Sequence, residues 1–144
     1  MEFITKSTKE TQDLGKKFAA TLKGGEVILL QGDLGSGKTT FVQGVAQGLG
    51  VSRVITSPTF ILMRTYSIPH ATDLSLYHLD LYCLEHGADR EIEALGVFDL
   101  WGKPDAIVCI EWPERIKKIP SHAIRITFSL EENDHHTISI PGTL

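Results

Sequence analysis

Cysteine is scarce: Cys83 and Cys109 are the only two in 144 residues and lie far apart. That excludes a disulfide framework, and the pair lacks zinc-site spacing. Both thiols read as packed, Cys109 within an apolar run. No apolar stretch approaches the length of a membrane span, and Met1 to Lys6 lacks the apolar core of a signal peptide. The expected setting is therefore the cytoplasm, with no membrane partner. Basic charge is also short. Fourteen Lys and Arg against 18 Asp and Glu leave a net charge of −4, which argues against a broad, self-sufficient nucleic-acid surface. The imbalance falls after residue 50, and the local cluster Arg115, Lys117 and Lys118 reads as a solvated face. No repeat or low-complexity segment occurs. The apolar fraction of 42% is ordinary, and the length suits one domain over residues 1–144.

What the chain does contain is Gly32-Asp33-Leu34-Gly35-Ser36-Gly37-Lys38-Thr39, a complete G-x-x-x-x-G-K-[ST] pattern. Gly32, Gly35 and Gly37 let the backbone turn so that successive N–H groups face a triphosphate. Lys38 reaches the β- and γ-phosphates, and the Thr39 hydroxyl can ligate Mg²⁺. A helix starting at the loop adds its positive N-terminal end. The flanks agree: Glu26 to Gln31 is an apolar run of strand length, and Phe41, Val45 and Leu49 follow at helical spacing.

Upstream, Phe3-Ile4 suits a short strand. Ser7-Thr8-Lys9-Glu10 is a capping box before a helix carrying Leu14, Phe18 and Leu22, which should stop at Gly24-Gly25. Downstream, Phe60 to Tyr66 reads as a strand, and Leu76 to Tyr82 alternates, with His78, Asp80 and Tyr82 on one side. Ala88 to Leu95 looks like a short acidic helix closed by Gly96. Ala106 to Glu111 is a strand buried on both faces, and Pro113 opens a short helical turn. Ile124 to Leu130 and His136 to Ile140 form a terminal hairpin. The expected fold is a three-layer α/β fold of the P-loop NTPase kind, with a mixed parallel and antiparallel central sheet.

A triphosphate site needs a second metal ligand, usually an acid after an apolar strand. Glu111 follows the cleaner run and is the preferred one. Asp80 ends a strand that alternates and so reads as half polar; its alternatives are orienting the attacking water, holding a metal-bound water, or a surface turn cap. Ser57 and Thr59 lie in a hydroxyl-bearing loop that can sense a γ-phosphate or be an ordinary Ser-Pro turn. His78 reads as a half-buried histidine. Trp112 is core packing or a partner contact. Gly102-Lys103-Pro104-Asp105 lacks the asparagine of a guanine-recognition motif, so adenine is favoured.

Four blocks taken together, Gly32 to Thr40, Ser57-Pro58-Thr59-Phe60, His78-Leu79-Asp80-Leu81-Tyr82 and Ile110-Glu111-Trp112-Pro113-Glu114-Arg115, resemble the TsaE (YjeE-type) family in order and spacing. The resemblance runs from about Ser7 to Arg115. It implies a small ATPase supporting threonylcarbamoylation of the tRNA adenosine next to the anticodon, with TsaD and TsaB as partners and tRNA touched indirectly or weakly. It implies Mg²⁺ on Thr39 and Glu111, Lys38 on the phosphates, and a switch-like Ser57-Pro58-Thr59 loop. Asp80 would support hydrolysis, Trp112 would flank the nucleotide, and Thr8 would lie near the adenine. The family's block continues with an arginine where this chain has Cys83; Arg90 is one possible substitute, and charge supplied by a partner is another. A small-molecule kinase is the alternative the P-loop alone allows, although the arginine cluster of a lid is missing. A nucleotide-dependent binding module with negligible hydrolysis is the third reading.

Overall fold

The computed structural model describes all residues except 54, 57–60, 70, 72 and 143. In chain order the elements are β1 (Glu2–Thr5), α1 (Thr8–Ala19), β2 (Val27–Gln31), α2 (Lys38–Gly48), β3 (Met63–Ser67) and β4 (Ser75–Asp80). These are followed by α3 (Asp89–Ala94), β5 (Ala106–Glu111), β6 (Ile124–Leu130) and β7 (His136–Ser139). Short 3-10 turns cover Val97–Leu100 and Pro113–Arg115.

The strands form one sheet in the order β1-β7-β6-β2-β5-β4-β3. β2 runs parallel to both β5 and β6, and β4 runs parallel to β5. β3, β7 and β1 pair antiparallel, so the sheet is mixed as expected, and β6 with β7 is the terminal hairpin. Side chains alternate between two cores. Ile28, Leu30, Ile107 and Cys109 pack with Leu14, Phe18, Phe41 and Val45 of α1 and α2. Val27, Leu29, Val108 and Ile110 pack on the other face with Ile92 of α3 and Val97. The apolar runs Val27 to Leu30 of β2 and Ala106 to Ile110 of β5 are what a strand covered on both faces requires.

Several local readings shift. α1 ends at Ala19, earlier than Gly24-Gly25, and Leu22 lies beyond it, half-buried. Ser7 Oγ accepts from the Glu10 N–H at 3.1 Å as a capping box demands, but the Glu10 carboxylate reaches the Lys6 N–H. β3 begins at Met63, because Leu62 adopts a left-handed φ of 66° that breaks the strand. Phe60 lies outside the described residues. β4 is not half exposed: it lies between β5 and β3, and His78, Leu79 and Asp80 are all buried. Its alternation marks polar groups turned inward toward a site. Cys83 is exposed, contrary to expectation, whereas Cys109 is buried. Burial pushes the Cys109 thiol up to about 12, with the Glu111 carboxylate adding to the effect.

α1 and α2 pack backbone against backbone. A Cβ on Gly44 would stand 2.0 Å from the Gln12 carbonyl oxygen, and one on Gly15 would stand 2.4 Å from that of Phe41. This contact brings the start of α1 to the P-loop. Among the described residues, no helix is long and apolar enough to cross a membrane.

Candidate nucleotide site

The C-terminal ends of β2, β4 and β5 deliver the loop, Asp80 and Glu111 to one place, the crevice where open parallel sheets bind ligands. A cleft of ≈ 370 Å³ opens there. Its floor is Gly35, Ser36, Gly37, Lys38, Thr39 and Thr40, with Leu34 exposed at the loop tip. Asp80, Glu111 and Trp112 form one wall, and Thr8 stands at the other. Gly32 and Asp33 do not line the cleft; their carbonyl oxygens accept from Lys38 Nζ, at 3.3 Å in the case of Asp33. Ser57 and Thr59 lie outside the described residues.

The glycines serve different ends. Gly37 caps α2 with φ 104° and no side-chain hydrogen bond, so the helix presents bare N–H groups to the cleft. Gly35 also needs positive φ, at 75°. Gly32, expected to serve the turn, is instead required by crowding: its Cβ would stand 2.6 Å from the Phe128 carbonyl oxygen of β6. Ser36 Oγ is buried and has no partner among the described residues. A buried, unpartnered hydroxyl beside the uncapped start of α2 is suited to a phosphate oxygen.

Thr39 Oγ1 donates to Glu111, 3.0 Å from Oε1 and 2.9 Å from Oε2. Glu111 is 2% exposed and also accepts from His78 Nε2 at 2.6 Å. One hydroxyl and one carboxylate side by side are hard oxygen donors. They fit Mg²⁺, which takes one or two protein oxygens and fills its shell with phosphate and water. No cluster of three or more His, Cys, Asp or Glu occurs among the described residues, so nothing there resembles a closed zinc site. Asp80 Oδ1 accepts from the Tyr82 N–H at 2.9 Å, an Asx turn that fixes the carboxylate at the end of β4.

Lys38 is buried, which lowers its pKa below the ordinary lysine range; Glu111, Glu114, Asp80 and Asp33 counter that shift. Its ammonium lies 3.8 Å from the Trp112 ring centroid. Trp112 is therefore a wall of the cleft as well as a packing residue. It sits in the left-handed region (φ 61°) directly before Pro113, a conformation that costs on the order of 1–3 kcal/mol. Tyr82 packs against it at 5.1 Å between centroids, and the Arg115 guanidinium lies 5.7 Å from its ring. Arg90, by contrast, is exposed on α3 and does not line the cleft. Arg115 is the guanidinium in contact with a cleft wall.

Thr11, Tyr82 and His136 also line the cleft and were not singled out as site residues. Thr11 has a signal in retrospect, one helical turn after Thr8 on α1. Tyr82 belongs to the His-x-Asp-x-Tyr block. His136 has none: it starts β7, and its Nδ1–H donates to the Ser36 carbonyl at 2.8 Å across 100 residues of sequence.

Comparison with known proteins bears on the family and the fold. The family model "Threonylcarbamoyl adenosine biosynthesis protein TsaE" matches residues 5–138. The tRNA threonylcarbamoyladenosine biosynthesis protein TsaE of Synechocystis is 42% identical over 124 residues, which is 84% of this chain and 75% of that protein. The TsaE of Rickettsia bellii is 40% identical over 140 residues, 95% of this chain and 92% of that one. The crystal structure of Bacillus subtilis YdiB superposes with a TM-score of 0.70 at 31% identity, covering 96% of this chain and 82% of the other. With the match extending over nearly its whole length, this chain belongs to the TsaE family of threonylcarbamoyl adenosine biosynthesis proteins.

Proposed function

We propose that this protein is a Mg²⁺-dependent ATPase that supports threonylcarbamoylation of tRNA adenosine by TsaD and TsaB. The observation that carries the reading is the meeting of Thr39 with Glu111 at the mouth of an uncapped P-loop, beside a second buried acid, Asp80. Two acids at the ends of adjacent strands divide the work. Glu111 and Thr39 hold Mg²⁺, which when bound neutralises charge on the β- and γ-phosphates. Asp80 orients water toward the γ-phosphate. The N–H groups of Gly35 to Thr39 cradle the phosphates, and Lys38 moves from the Gly32 and Asp33 carbonyls to the phosphate oxygens. Thr8 and Trp112 flank the nucleotide, and the Ser57-Pro58-Thr59 loop senses the γ-phosphate.

The partner assignment is tested by size-exclusion of the chain with TsaD and TsaB, with and without ATP and Mg²⁺. Co-elution that Lys38→Ala weakens is the expected result. Separate elution under every nucleotide condition rejects the partnership.

A further inference from the structure

We propose that His78 is a positioning residue for Glu111: it locks the carboxylate in the rotamer that serves the cation. This rests on the reading that Thr39 and Glu111 hold Mg²⁺. In the parallel β4–β5 ladder His78 pairs with Cys109 and Asp80 with Glu111. Residues two apart share a strand face, so His78 lies one step before Asp80 and beside Glu111 on the face turned toward α2. His78 is 0% exposed and does not line the cleft. It therefore acts through Glu111, with no contact to the nucleotide.

The hydrogen bonds show what Glu111 needs. Thr39 Oγ1 lies almost equally far from both carboxylate oxygens, and its single proton can serve only one at a time. Thr39 alone leaves the carboxylate free to turn. His78 Nε2 breaks the symmetry at 2.6 Å from Oε2. A carboxylate only accepts, so Nε2 carries the proton. With Oε2 held from within the sheet, Oε1 stays beside the Thr39 hydroxyl at the cleft. His78 Nδ1 is buried and has no partner among the described residues. A histidine present only for packing would be costlier than leucine at such a position, since it buries an unpaired nitrogen. Among the described residues its side-chain hydrogen bond is to Glu111, the arrangement by which outer residues orient metal ligands.

The test measures affinity for a non-hydrolysable ATP analogue by calorimetry, in EDTA and across a Mg²⁺ titration, for wild type, His78→Leu, His78→Gln and His78→Asn. In EDTA, His78→Leu should bind within about twofold of wild type. It should need about 10–100-fold more Mg²⁺ for half of the metal-dependent gain, the usual range for losing an outer partner. The Gln amide extends to where Nε2 lies and should restore most of the Mg²⁺ sensitivity; the shorter Asn amide should not. An unchanged Mg²⁺ requirement, or equal losses in EDTA and in Mg²⁺, overturns the role. If His78→Leu does not fold, the Gln–Asn contrast decides, and equal Mg²⁺ requirements in those two reject it. A wild type indifferent to Mg²⁺ instead rejects the metal assignment itself.

Discussion

Three carboxylates illustrate how surroundings assign work to one functional group. Glu111 is held by a hydroxyl and an imidazole inside the sheet, and Asp80 by the backbone just beyond it. Asp89 lies away from the cleft and is structural. Its oxygens accept from the Lys117 N–H at 2.9 and 3.1 Å and from the Lys118 N–H at 2.9 Å, clasping the segment after the Pro113–Arg115 turn to the start of α3. Those backbone donors, with the Lys117 charge, hold its carboxyl below the usual carboxylate range. A depressed folded pKa stabilises above the unfolded value, about 3.9, and the gain is lost as pH falls through the folded value. Asp89→Asn should therefore cost under about 1 kcal/mol at pH 7, since solvent screens this surface site, with the gap to wild type closing as pH drops below about 4. Urea midpoints at pH 7 and at acid pH check this; a gap that is the same at both would show that the charge contributes nothing.

At the scale of elements, the contact between α1 and α2 determines whether the cleft has a second wall. Gly15 and Gly44 let the two backbones touch, and Gly48 meets the Ala19 methyl, where a Cβ would stand 2.7 Å away. Gly44→Ala improves helix propensity by about 1 kcal/mol. It also inserts a methyl against a backbone oxygen, where overpacking costs about 1–3 kcal/mol or more. The steric term should prevail, leaving a net cost of up to about 2 kcal/mol and lowering Tm by up to about 8 °C at about 2–4 °C per kcal/mol. Nucleotide affinity should fall with it, because Thr8 and Thr11 ride on α1. A Tm at or above wild type would mean that the helices separate freely. Both helices were legible as elements, from the Ser7–Glu10 box and from the spacing of Phe41 and Val45. Their glycine contact was not, since a helical glycine looks the same in sequence whether it faces solvent or another backbone. β4 misled for a related reason: polar alternation ordinarily means one wet face, but here Asp80 lines the cleft and His78 is buried against Glu111.

For the whole molecule, the seven-stranded sheet places the ends of three parallel strands together, and the cleft follows from that topology. Of the motif residues near those ends, Lys38 and Thr39 were identifiable from the G-x-x-x-x-G-K-[ST] pattern and Glu111 from the apolar run before it, while Asp80 and Trp112 stood out through the blocks that resemble the family. Residues carried in by tertiary closure were not: His136 reaches the loop only because the C-terminal hairpin extends the sheet beside β2. Leu34 and Tyr82, exposed, and Trp112, half-buried, leave apolar surface along the cleft. The proposed function requires hydrolysis under partner control. Phosphate release from ATP, followed for wild type and Asp80→Ala with and without Mg²⁺ and the TsaD–TsaB pair, tests it most directly. The expected result is slow Mg²⁺-dependent release by wild type alone, a changed rate with the partners, and a loss of about 10²-fold or more in Asp80→Ala with ATP binding retained. Release that ignores Mg²⁺, the partners and Asp80 alike would contradict it.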